Sequence, residues 1–304
     1  MTSAQYVFEE RLAEYQKLIN SKLSVMFTGE NTSVDLTMEA ALYSLLAGGK
    51  RIRPVLMFAV SDMLAVPIDV VMPYACAVEM IHTYSLIHDD LPCMDNDDTR
   101  RGMPTCHVKY SEPIALLAGD ALLNRAYEIL FDACMDADIR KVKAASFVAR
   151  MAGPRGMIEG QTIDLLSEGK KISGELLTIL QQKKTGCLLT APVIVPIFLC
   201  GPGSKTSLAE QQLTEFAAHI GLAFQIKDDL LDVTSTKEVL GKSIGKDAAV
   251  EKSTFVTLYG LQKAQEQLQK EMHGAQNSLI ILRNEGFDTS FLEDLNNYLL
   301  IRDK

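Results

Sequence analysis

Apolar residues recur at helical intervals along most of this 304-residue chain, and that period limits its architecture more than any other feature. Phe8, Leu12, Tyr15, Ile19, Leu23 and Met26 step by three or four, so 6–27 reads as an amphipathic helix. Similar runs predict helices at about 36–47, 54–66, 71–91, 111–136, 140–151, 173–200, 207–233, 254–272 and 289–301. Ser207-x-x-Glu210 and Ser290-x-x-Glu293 read as capping boxes, and Gly48-Gly49 and Gly201-Pro202-Gly203 as stops. No set of alternating β-branched strands joined by hairpin turns stands out, and no Pro/Ser-rich linker divides the chain. The expected fold is all-α, one domain over 1–304.

Charge and cysteine usage exclude several classes. A formal net charge of −9 argues against non-specific nucleic-acid binding, which needs a basic face. The six cysteines include no C-x-x-C pair and lie mostly among apolar residues, as expected for reduced thiols in the cytoplasm. Glu9 and Glu10 sit inside the first apolar run, which is not the pattern of a signal peptide. The most apolar stretch, CLLTAPVIVPIFLC (187–200), is too short to span a bilayer and reads as a buried helix, so stable membrane insertion is not expected.

Two carboxylate clusters carry the chemistry. In HDDLPCMDNDDTRR (88–101), Asp89 and Asp90 are followed by Asp95 and then by Arg100 and Arg101. A spacing of six is about 240° on a straight helix, so Asp89 and Asp95 share a side only if the helix is distorted near Pro92. In DDLLD, Asp228 and Asp232 stand at i and i+4 with Asp229 beside them and Gln225 one turn earlier. IHTYSLIHDDL (81–91) lies over IGLAFQIKDDL (220–230), with Ile81, Ile87, Asp89, Asp90 and Leu91 matching Ile220, Ile226, Asp228, Asp229 and Leu230. Two facing helices would bring both acid pairs to one level. The carboxylates of the second cluster repel each other and have no His or Cys nearby, which suits Mg2+ or Mn2+ completed by water and phosphate.

Fixed positive charge lies nearby in the sequence. GGKRIRP (48–54) places Lys50, Arg51 and Arg53 past a helix end, and Lys183, Lys184, Lys242, Lys246 and Lys252 follow in the second half. Each group alone reads as a solvated turn, and His82 alone as a core histidine. Acid clusters for metal combined with short basic sites for phosphate read differently. Position 236 is Thr where a P-loop ending at Gly241-Lys242-Ser243 needs Gly, and no G-x-S-x-G is present.

GGKRIRP, DDLPCMD with RRG, KTG and QIKDDLLD occur in an order and spacing that resemble the trans-prenyltransferases, from about residue 35 to 304. The similarity is greatest to the bacterial farnesyl diphosphate synthases, whose first acid motif also has four residues between the pair and the last Asp. The resemblance implies a bundle of long helices round a central cavity, usually a homodimer, with isoprenyl diphosphates as substrates. It implies as many as three Mg2+ ions held through Asp89, Asp95 and Asp228, with Asp90, Asp229 and Asp232 completing the motifs. It places Arg100, Lys184, Lys242 and Lys252 on the allylic diphosphate, and Lys50, Arg53, His82 and Arg101 on isopentenyl diphosphate. Thr185 and Gln225 would line the reacting carbons. Tyr84 and Ser85, about one turn before Asp89, would set product length, an aromatic at Tyr84 going with fifteen carbons. The expected reaction is head-to-tail condensation to farnesyl diphosphate. A geranylgeranyl synthase and a structural subunit of a heteromeric synthase are the alternatives. Terpene cyclases and squalene-type synthases fit less well, because the all-Asp second motif and GGKRIRP are both present.

Overall fold

Helices α4 (Ile68–Asp89) and α10 (Cys187–Cys200) are apolar on nearly every side, and such helices must be enclosed by others. A computed structural model of the chain describes residues 3–29, 35–201, 206–234 and 253–301. The first half comprises α1 (Ser3–Thr28), α2 (Leu36–Leu45), α3 (Ile52–Met63), α4, a hairpin of β1 (Thr99–Arg100) and β2 (Met103–Pro104), α5 (Cys106–Tyr110), α6 (Glu112–Asp132) and α7 (Ile139–Ala152). The second comprises α8 (Met157–Ser167), α9 (Gly174–Gln181), a π-helical turn at Gln182–Gly186, α10, α11 (Thr206–Thr234), α12 (Phe255–Tyr259), α13 (Leu261–Asn284) and α14 (Ser290–Ile301). α4 packs on α3 and α6; α10 packs on α3, α4, α7 and α11; α11 packs on α13.

The 14-residue apolar stretch 187–200 is the second part of a longer rod, because 174–200 continue through the π-turn as 27 helical residues. That rod and α4 are each long and apolar enough to cross a membrane, yet 61% and 72% of their most apolar windows are buried in the bundle.

Several boundaries differ from expectation for local reasons. α5, α8 and the second half of α13 were not foreseen. Gly160 and Gly274 resemble helix breakers, but both lie inside helices where a neighbour presses close; a Cβ at Gly274 would lie 2.5 Å from the His219 ring. The expected helix 254–272 is divided at Gly260, which has φ 83°. Ser207 and Ser290 lie within helices instead of capping them, since α11 begins at Thr206 and α14 at Ser290. A capping box does occur at Thr254 and Thr257. α2 ends at Leu45 with Leu46 as its C-cap, short of Gly48 and Gly49, whose φ values are 82° and 112°, whereas Gly201 caps α10 with φ 78°; residues 202–203 lie outside the described residues. All six cysteines are unpaired.

The basic run 50–53 divides by position. Arg51 is the N-cap of α3, held at φ 53°, and its side chain turns inward. It donates to Glu79 at 2.7 Å, to Asn20 Oδ1 at 2.8 Å and to the Leu45 carbonyl at 2.7 Å. The Arg51 and Glu79 side chains are 1% and 2% exposed, so this pair ties α1, α2, α3 and α4 together and is not available to a ligand. Glu79→Ala should leave that guanidinium without its counter-charge and cost about 3–5 kcal/mol in urea denaturation.

Candidate active site

The helix carrying the first acid cluster stops where its chemistry starts. α4 ends at Asp89, and Leu91, preceding Pro92, is disfavoured in the helical region. The chain folds back in a tight turn. The Asp95 N–H donates to the Asp89 carbonyl at 2.8 Å, Asn96 to Leu91 at 3.2 Å and Asp97 to Asp90 at 3.3 Å. Asp95 is thereby returned beside Asp89, as the spacing predicts. Burial raises the Asp89 carboxyl to about 6; Lys184 opposes that shift and Asp95 adds to it.

Asp90 has another occupation. It is 3% exposed, and Arg100 grips it with Nε at 2.8 and 2.9 Å and Nη2 at 2.6 Å. Arg100 reaches this position from the β1–β2 hairpin, an element the sequence pattern did not reveal. The hairpin turns on Arg101 and Gly102, both left-handed at φ 54° and 75°. Its tip sends Arg101 to the Gly48 carbonyl, beside Gly49.

α11 repeats this division of labour. Asp228 and Asp232 are half-buried one helical turn apart. Asp229 is 4% exposed and accepts from Gln225 Nε2 at 3.1 Å and from the Phe255 N–H at 2.8 Å. Gln225 in turn accepts from the Thr185 hydroxyl at 3.0 Å. All five matched pairs of the internal repeat have like burial: the Ile, second Asp and Leu pairs are buried, and Asp89 and Asp228 are half-buried.

A cavity of about 380 Å3, within the range of small-molecule sites, opens against Asp89. Its polar lining includes Arg53, His82, Tyr84, Ser85, His88, Gln161, Lys184 and Thr185; Leu123, Met157, Ile158, Leu165 and Leu188 supply apolar wall. Arg53 lies in the first turn of α3, and its Nε is buried without a hydrogen-bond partner. Burial pulls its pKa down to about 10, while Glu79 and Asp228 act against that shift. Asp228 is therefore within electrostatic reach of a residue that faces the same cavity as Asp89. Burial and the surrounding arginines, Arg53 first, hold His82 neutral. Asp90, Arg100 and Arg101 line a separate pocket of about 30 Å3. Lys50 is half-buried outside the cavity lining, its carbonyl accepting from Gln16 at 2.9 Å. Lys242, Lys246 and Lys252 lie outside the described residues.

Tyr84 and Ser85 both face the cavity. Burial pushes the Tyr84 phenol up to about 12, so it remains protonated. Its ring meets His88 edge-on at 5.6 Å, and His88 Nε2 lies 3.1 Å from the Leu116 carbonyl. Gly119 provides the notch for that ring, since a Cβ there would come within 2.1 Å of Nε2. Gly119→Ala should cost about 1–3 kcal/mol in urea denaturation through overpacking, and the same change in a His88→Ala background should cost much less.

The donors fit magnesium. Asp89 and Asp95 are hard oxygen ligands brought together by a backbone bond. Among the described residues no three His, Cys, Asp or Glu side chains converge into a ready cage.

The sequence reading missed α8. Asp164, 5% side-chain exposed, accepts from Lys184 at 2.5 Å, and Gln161 faces the cavity with its Nε2 buried and unpartnered. The available signal was an Asp within the apolar run GQTIDLL, which the two glycines of GMIEG obscured.

Known proteins resemble this chain in sequence and fold. The sequence matches the polyprenyl synthetase family over residues 34–279. A farnesyl diphosphate synthase from Haemophilus influenzae is 42% identical over 93% of this chain and 95% of its own length. Geranylgeranyl pyrophosphate synthase 7 of Arabidopsis thaliana is 44% identical over 84% of this chain and 73% of its own. A solved geranyltransferase from Helicobacter pylori, complexed with magnesium and isoprenyl diphosphate, superposes with a TM-score of 0.81 at 31% identity, covering 99% of this chain and 97% of that one. The chain belongs to the polyprenyl synthetase family.

Proposed function

We propose that this protein joins isopentenyl diphosphate head-to-tail (1'-4) to dimethylallyl and then geranyl diphosphate, releasing diphosphate and (2E,6E)-farnesyl diphosphate. The observation that carries this reading is the cavity itself, lined by Asp89 and Lys184, by apolar side chains and by Tyr84. Magnesium held by Asp89, Asp95 and Asp228 would supply charge neutralisation for the diphosphate leaving group.

The chain's own residues do the rest. Lys184 contributes fixed positive charge to the allylic diphosphate, and Lys242 and Lys252 join it in this reading. Asp90 holds Arg100 at the cluster. Arg53, still cationic at neutral pH, and neutral His82 hold isopentenyl diphosphate with Lys50 and Arg101. Holding both substrates in one orientation supplies a large entropic contribution. Thr185 and Gln225, bonded to each other, flank the reacting carbons. Apolar residues such as Leu123 and Leu188 exclude water from the allylic cation. The departing diphosphate accepts the proton released at the end, because the acid-motif carboxylates are committed to metal or to internal bonds.

A twenty-carbon product is the second reading, favoured by the similarity to geranylgeranyl synthases. Tyr84 argues for fifteen carbons, since its ring occupies space a longer chain would need. A cytosolic homodimer fits the unpaired thiols and the exposed Leu116, Leu117 and Phe131 of α6, which a second copy would cover.

Purified protein given Mg2+, isopentenyl diphosphate and each allylic starter should yield mainly a fifteen-carbon product by chromatography. No condensation with any starter would favour the structural-subunit reading. Chelation with EDTA should abolish turnover and added Mg2+ restore it. Asp89→Ala should lower kcat by about 100-fold or more. Tyr84→Ala should shift the products toward twenty carbons, and an unchanged profile would discard that role.

A further inference from the structure

Helix α8 meets the π-turn backbone to backbone. A Cβ at Gly160 would lie 2.1 Å from the Lys184 nitrogen, 2.5 Å from its Cα and 2.7 Å from the Lys183 carbonyl carbon. Only glycine permits that approach. The two lysines of the turn are then taken by different residues of α8. Lys183 goes outward to Glu159 at 2.7 Å and to the Arg155 carbonyl at 3.0 Å. Lys184 goes inward to the buried Asp164.

Lys184 also lines the cavity and acts on Asp89 from there. Its ammonium is a point charge on a flexible four-carbon stem, so its position depends on what holds it. Two carboxylates compete for it. If Asp89 prevailed, the ammonium would sit where a divalent ion belongs. π-Turns inside helices recur at functional sites, and this one points consecutive lysines to opposite sides.

We propose that Asp164 is a positioning residue for catalysis: it holds Lys184 off Asp89 and aims it at the allylic diphosphate, with Gly160 setting the separation of the two backbones. This rests on the reading above that Lys184 contacts that diphosphate. Asp164 touches no substrate, so its effect is confined to the substrate that Lys184 binds.

The test is a double-mutant cycle with steady-state kinetics. Asp164→Asn keeps the size and one acceptor for the ammonium. It should raise the allylic KM about tenfold or more while the isopentenyl diphosphate KM changes by less than about twofold. In a Lys184→Ala background the same substitution should have no further effect on the allylic KM. Asp164→Glu, which retains the charge, should recover part of the loss, and Gly160→Ala should reproduce the allylic-selective defect. If Lys184→Ala leaves the allylic KM unchanged, the assignment of Lys184 itself fails. If Lys184→Ala raises it but Asp164→Asn does not, or if Asp164→Asn acts equally in both backgrounds, the positioning role is overturned and the assignment of Lys184 stands.

Discussion

In each acid pair the second aspartate is buried and bonded, and the aim of the first depends on it. A carboxylate removed from water is costly unless its oxygens find donors. Asp90 finds the guanidinium of Arg100, and Asp229 finds an amide from Gln225 and the backbone of Phe255. Neighbours on a helix are about 100° apart, so fixing one side chain determines where the adjacent one projects. Asp89 and Asp228, beside them, are thus held half-buried. The two halves of the chain solve one problem by different means, one with an ion pair and one with amides.

The surroundings divide charge in the same spirit. Arg51 balances Glu79 inside the bundle, whereas Arg53, two residues later, keeps a buried Nε without a partner at the cavity. One arginine fixes the frame and the other brings an unpartnered donor to the cavity. His82 is kept neutral among arginines, so it adds hydrogen-bonding capacity without adding charge.

Much of this is legible in the sequence, and the exceptions have physical causes. Apolar period locates most helices because each buries a stripe. The return of Asp95 follows from Pro92, a purely local constraint. Lys50, Arg51 and Arg53 look alike in sequence; the start of α3 at Ile52 separates them, and that boundary depends on the buried pair with Glu79. α8 was hidden because Gly160 signals a break locally and a close contact globally. The β1–β2 hairpin, with two residues per strand, is too short to leave an alternating pattern. The capping errors at Ser207 and Ser290 are small displacements, each serine lying at or next to the first residue of its helix.

The hairpin also constrains how this stretch can vary. Arg100 and Arg101 are adjacent, yet one bonds Asp90 and the other the Gly48 carbonyl. Arg100 ends β1 and Arg101 opens the turn, so an inserted or deleted residue before the turn would displace both guanidiniums. Asp90 would lose its fork while Gly48 gained nothing useful. Thr99–Pro104 is therefore constrained in length as well as in its two arginines.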